Sequence, residues 1–108
     1  MTELAERVLT MQVVHDGTTT RIVPIGEIDM ASANTFEAVA EQVLLAGPER
    51  IELDLTAVDF IDSSGLRSIV QLRKRALLEG IELRATGLSP AAERILELTG
   101  LIDALRGS

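Results

Sequence analysis

The sequence predicts a single α/β domain whose mixed sheet begins with an antiparallel hairpin and continues with alternating helices and strands. Three observations carry this prediction. Two β-branched runs near the amino terminus flank HDGTTT, a polar segment with an Asp-Gly pair, which is a hairpin pattern. After residue 30, segments of helical period alternate with short apolar runs, an order that makes the later strands parallel through right-handed crossovers. The 108 residues suffice for one core and not for two independent ones.

The first strand is predicted over residues 8–14, VLTMQVV, and the second over RIVPIGEI, with a connecting loop somewhat longer than two residues. Pro24 has no N–H to donate, so it is expected near a sheet edge or a bulge. From Ser32 to Ala46, Phe36, Val39, Ala40, Val43 and Leu44 recur at helical spacing, and Gly47-Pro48 stops the helix. Ile51, Leu53 and Leu55 alternate with acids in a strand that feeds into Val58 to Ile61. The next helix carries Leu66, Ile69, Val70 and Leu77 on its predicted inner face, with Arg73 between them, and ends at Gly80. IELRAT at 81–86 is a further strand. Ser89 and Pro90 then suit the cap and first position of a helix that runs to Thr99 and stops at Gly100. The predicted order is ββαβαβα, one domain over 1–108, with no internal repeat or linker.

Composition removes several functions. The net charge of −7, from 17 acidic and 10 basic residues, sets up a field that repels nucleic-acid backbones and anionic membranes. Two Phe and no Trp or Tyr leave no aromatic platform for bases or sugars, and without cysteine there are no disulfides or sulfur-ligated metals. MTELAERVLT does not resemble a signal peptide, and no segment approaches the ~20 apolar residues that span a bilayer, so a cytoplasmic protein is expected. Arg67, Arg73, Lys74 and Arg75 cluster after residue 66, as a docking patch or a solvated helix face.

The segment VDFIDSSGLRS, residues 58–68, concentrates the chemistry. A serine hydrolase needs a nucleophile elbow and a histidine; here the first glycine of G-x-S-x-G is missing, and the only histidine, His15, falls in the hairpin turn. Asp29, Asp59 and Asp62 have no metal-ligand spacing, and no glycine-rich phosphate loop is present, so no metal or cofactor is expected. Asp62 or Ser63 can cap a helix beginning near Ser64, each such cap being worth about 1 kcal/mol. A cap leaves unexplained the second hydroxyl and Gly65, which in a first turn costs about 1 kcal/mol relative to alanine. A phosphate added there would face the positive end of the helix dipole and unpaired N–H groups, while Gly65 would leave room for another protein's active site.

VDFIDSSGL resembles the phosphorylation-site motif of bacterial anti-sigma factor antagonists, the small single-domain members of the STAS family. Gly26-Glu27-Ile28-Asp29 is similar to the family's G-E-[LI]-D at the end of the second strand. Leu88-Ser89-Pro90 with Arg94, Gly100 and Leu101 resembles its later L-S-P…R…G-L stretch. The likeness covers nearly the whole chain and implies the STAS fold. It also implies a regulator that is not an enzyme. The unphosphorylated antagonist binds an anti-sigma factor that is a serine kinase and frees the sigma factor; ATP-dependent phosphorylation ends the binding, and a metal-dependent serine phosphatase restores it.

By residue matching, the resemblance makes Ser64 the phosphoacceptor. It implies partner binding through Asp29, Asp62, Ser63, Ser64, Gly65, Leu66 and Arg67. Arg67 is spaced to pair with a phosphate or to remain solvated. Family members continue past the G-L stretch through another strand and a helix, so at LIDALRGS that final helix is expected short or missing. The alternative on the same fold is a STAS subunit of a transport ATPase or of a stress-sensing scaffold, without a switch.

Overall fold

A computed structural model describes residues 9–106, which leaves Val8, at the start of the first predicted strand, and the signal-peptide question outside the described residues. β1 (Thr10–Asp16) and β2 (Thr19–Ile28) form the antiparallel hairpin, in register from Thr10 opposite Ile25 to Asp16 opposite Thr19. Its loop is only Gly17 and Thr18, shorter than the sequence pattern suggested. Thr19 and Thr20 extend the strand because β-branched residues suit a pleated surface, and Gly17 takes a φ of 63°, the positive φ that two-residue hairpin turns require.

α1 (Ala33–Ala46) buries Ala33, Phe36, Ala40, Val43 and Leu44, the predicted stripe with Val39 at its margin. The next apolar run, expected as one strand, is two. β3 (Arg50–Leu55) and β4 (Val58–Ile61) are separated by a turn at Thr56 and Ala57, where Asp54 Oδ1 accepts from the Thr56 N–H (3.0 Å) and hydroxyl (2.6 Å). That side-chain turn breaks an otherwise continuous apolar pattern.

Both strands run parallel to β2, β3 against Thr19 to Ile22 and β4 against Gly26 to Ile28. Neither pairs with residues 23–25, and Pro24 sits in that interruption. It is thus buried in an interior strand, not at an edge, and lies two residues before the register shift between Gly26 and Glu27; the gap between its two parallel partners tolerates the missing N–H.

α2 (Ser63–Leu78) buries Gly65, Ser68, Ile69, Leu72 and Ala76. The expected inner face was rotated from this one: Leu77 is 62% exposed, and Leu66 and Val70 are half-buried. Small residues at 65, 68 and 76 let the helix approach the sheet and α1 closely, and this close fit outweighs the larger apolar side chains. β5 (Glu82–Leu88) pairs parallel with β3, from Arg50 opposite Glu82 to Leu55 opposite Leu88, and reaches two residues beyond the predicted end.

α3 (Pro90–Leu98) starts as expected, with Ser89 Oγ accepting from the Ala92 N–H at 3.0 Å. A five-residue helix, α4 (Ile102–Arg106), follows Gly100 and seals Leu105 into the core. The α/β class and mixed sheet are as predicted, and β4 and α4 are additions to the order. The sheet runs β1-β2-β3-β5 with β4 beside the carboxyl end of β2. α1 packs against α2, and α3 against β4. One hydrophobic core that includes Phe36, Ile22, Ile28, Leu53, Ile69 and Leu96 joins these elements.

Candidate functional site

The two motifs singled out in the sequence, residues 26–29 and 62–65, meet at one end of the sheet. Because β4 lies parallel to β2 with Ile61 beside Ile28, the chain leaving each strand emerges side by side. The Asp62 N–H donates to the Ile28 carbonyl at 3.3 Å. Asp62 is extended (φ −101°, ψ −170°) and is the cap of α2: its Oδ1 accepts from the Gly65 N–H at 3.0 Å. Its second oxygen accepts from the Met30 N–H at 3.1 Å. One carboxylate therefore caps α2 and fastens the β2–α1 loop to it.

That loop is held from its other side by Asp29. Asp29 Oδ1 accepts from the N–H groups of Ala31 and Ser32 and from the Ser32 hydroxyl, each at 3.0 Å; the same hydroxyl lies 2.7 Å from the Glu27 carbonyl and accepts from the Asp29 N–H. Asp29 thus shapes the loop beside the serine motif through one carboxylate oxygen.

Gly65 is buried, and its lack of a side chain has an internal cause. A Cβ built there would lie 2.1 Å from the Ile28 carbonyl oxygen and 2.9 Å from the Ile28 carbonyl carbon and Cγ2. The expectation that Gly65 leaves room for another protein's active site is therefore corrected: the space is taken by the end of β2. Leu66 is half-buried and packs on the core, so it supports the site from below.

The serines are what remains for the surface. The helix begins at Ser63, one residue before the expected start, which makes Ser63 and Ser64 its first two helical positions. Ser63 is exposed and Ser64 half-buried. Capping is done by Asp62, and among the described residues neither serine hydroxyl and neither serine N–H has a hydrogen-bonding partner. Two free hydroxyls therefore stand over two free N–H groups at the positive end of a 16-residue helix, an arrangement that accommodates added negative charge.

One turn further, the buried Ser68 hydroxyl lies 2.5 Å from Glu37 Oε2 and 3.3 Å from the Ser64 carbonyl, tying the first turns of α2 to α1. Arg67 is exposed and pairs with no carboxylate of the described residues, whereas Arg75 is engaged by Glu41 (2.8 Å) and Glu79 (3.2 Å). Met30 and Ser68 had no role assigned from the sequence, and Ile28 entered only as a member of the G-E-I-D stretch. Met30, 79% exposed immediately after the G-E-I-D stretch, carried a signal in being a large apolar residue outside any apolar period.

His15 lies 3.3 Å from Thr20 at the opposite end of β2, about 26 Å of strand away from Ile28, so it has no contact with the serines. Among the described residues no three His, Asp or Glu side chains are grouped to hold a metal ion, and no helix is long and apolar enough to cross a membrane.

The chain is similar to known proteins over nearly the whole of its described length. Residues 10–106 match the STAS domain model. The anti-sigma-B factor antagonist of Listeria monocytogenes is 34% identical over 80 residues, 74% of this chain and 70% of that protein. The crystal structure of an anti-sigma factor antagonist from Mycobacterium paratuberculosis superposes with a TM-score of 0.81 at 26% identity, over 93% of this chain and 86% of that one. The anti-sigma factor antagonist SpoIIAA, a Bacillus cell fate determinant, shares the fold at 19% identity in its unphosphorylated form (TM-score 0.75, 87% and 84% covered) and its phosphorylated form (0.67, 90% and 88%). This chain belongs to the STAS-domain family of anti-sigma factor antagonists.

Proposed function

We propose that this protein is a partner switch: unphosphorylated, it binds an anti-sigma factor that is also a serine kinase and so frees a sigma factor; phosphorylated on its serine pair, it releases that kinase until a serine phosphatase restores it. The observation that carries this reading is that Asp62 alone caps α2, which leaves both serine hydroxyls without a structural task. The role is regulatory and needs no catalysis by this chain.

A phosphoserine carries about −1.5 to −2 charges, and the free N–H groups of the first turn accommodate it with the helix in place. SpoIIAA keeps the fold in both its phosphorylation states, which supports a switch that acts through charge. In a closed interface the phosphate would be desolvated beside Asp62. A penalty of about 3 kcal/mol weakens binding roughly a hundredfold.

The resemblance to the family motif assigns acceptance to Ser64, while exposure favours Ser63 as the hydroxyl that a kinase reaches without moving the helix. The test is capture from host cytosol on wild-type, Ser63→Asp and Ser64→Asp baits, followed by phosphosite mapping of the Ala variants with the captured kinase and ATP. An ATP-binding serine kinase held by the wild type and lost with one aspartate is the expected outcome. The absence of any such kinase from the wild-type bait would sink the proposal, and equal capture by all baits would reduce the serines to a helix start.

A further inference from the structure

We infer that the groove between β4 and α3 is a second anchor for the partner that reads the serine pair, and that it takes an aliphatic side chain flanked by a carboxylate. This rests on the function proposed above. The groove holds about 210 Å³ and is lined by Phe60, Ile61, Ala91, Arg94, Ile95 and Leu98. Its apolar walls are open to water, with Phe60 48% and Leu98 75% exposed. An aromatic residue and a leucine in one concave apolar surface are the kind of feature that serves as an interface anchor.

Position connects the groove with the switch. Ile61 lines it and is the residue before the Asp62 cap, so the groove begins at the strand end that leads directly into Ser63 and Ser64.

Charge narrows the occupant. In a chain of net charge −7, arginines 21, 50, 75, 84 and 106 each pair with a glutamate. Arg94 is exposed and pairs with no carboxylate of the described residues; its neighbour Glu93 is engaged with Arg106 at 3.6 Å. An unpaired guanidinium beside an apolar groove complements an acid next to an aliphatic side chain. A second copy of this strongly acidic chain is the poorer fit, because like net charge opposes the approach.

The experiment is calorimetric titration of the purified host kinase with the wild type and with Leu98→Asp, Arg94→Glu and Arg94→Lys, each first checked for an unchanged melting temperature. Leu77→Asp is the control, an exposed leucine on α2 away from the groove. The groove anchor predicts a Kd raised about tenfold or more by Leu98→Asp and Arg94→Glu, a shallower salt dependence for Arg94→Glu, and less than about a twofold change for Arg94→Lys and Leu77→Asp. Wild-type affinity in both groove variants, with the aspartate at the phosphoacceptor still abolishing binding, overturns the anchor and leaves the switch standing. A wild type that does not bind the kinase overturns both. Sedimentation of the wild type adds a separate check: a dimer that Leu98→Asp disperses would assign the groove to a second copy and overturn the proposed occupant.

Discussion

The Ile28 carbonyl oxygen lies so close to Gly65 that a Cβ there would sit 2.1 Å from it, and the oxygen belongs to backbone that also accepts from the Asp62 N–H. The carboxyl end of β2 and the first turn of α2 are therefore locked surface to surface. Neither can shift without breaking the other's hydrogen bonds, and the serines are presented from a rigid turn.

Gly65→Ala is expected to destabilise the protein by about 3 kcal/mol, because the obstructing atoms are main chain and cannot rotate away. For a domain of this size that is a fall in Tm of about 12–20 °C, read by thermal melting. A variant that melts within about 2 °C of the wild type would mean that α2 can slide along the sheet, and the rigid-turn account would fail.

Asp62 has two structural tasks and the serines none, so single substitutions should separate them. Asp62→Ala loses the cap and the tie to Met30, and a cost of about 2 kcal/mol in urea denaturation is expected. Asp62→Asn keeps one carbonyl oxygen for two N–H donors and should fall between. Ser63→Ala and Ser64→Ala should each stay within about 0.5 kcal/mol of the wild type. If a serine variant lost as much as Asp62→Ala, that hydroxyl would be part of the cap.

How far the sequence reveals this site depends on how local each cause is. The alternation of Ile51, Leu53 and Leu55 and the Ser89-Pro90 helix start were legible because neighbouring residues determine them. The division into β3 and β4 was not, since the turn is made by the bond from Thr56 to the Asp54 side chain within an apolar run. Gly65 stood out as an anomaly in a first turn, but its reason is an atom 37 residues earlier in the chain. The inner face of α2 was misplaced for the same kind of reason: Ser68 is buried because Glu37, on another helix, accepts its hydroxyl proton.

Ser68 is 1% exposed, and its contact with Glu37 is the polar link between α1 and the first turns of α2. Ser68→Ala should cost about 1 kcal/mol, the net worth of one such hydrogen bond. Glu37→Ala should cost a similar amount, and the two losses should not add; a coupling of about 1 kcal/mol in the double-mutant cycle is expected. Additive losses would show that the two side chains do not depend on one another.

The turn that separates β3 from β4 makes one pH-dependent contribution. The hydroxyl and N–H of Thr56 donate to Asp54, and the field of Arg21 adds to them; against partial burial, these hold the Asp54 carboxyl below its ordinary 3.8. A carboxyl depressed in the folded state contributes stability that is present above its unfolded pKa and lost as pH falls through the lower, folded value. Thr56→Val removes the hydroxyl bond and should cost about 1 kcal/mol at pH 7. The gap to the wild type should persist down to the ordinary carboxylate range and close below it, as Asp54 protonates in both proteins. Urea denaturation at a series of pH values from 7 downward reads this directly. A gap that stays constant into acid would mean that the hydroxyl stabilises the turn without favouring the ionised carboxylate. Gly87 gives an independent check, because its Cβ would lie 2.2 Å from Thr56 Oγ1 and 2.7 Å from Asp54 Oδ1. Gly87→Ala should push these two short side chains apart, with the same loss of pH dependence as Thr56→Val and without the large collapse expected at Gly65, where the obstacle is backbone.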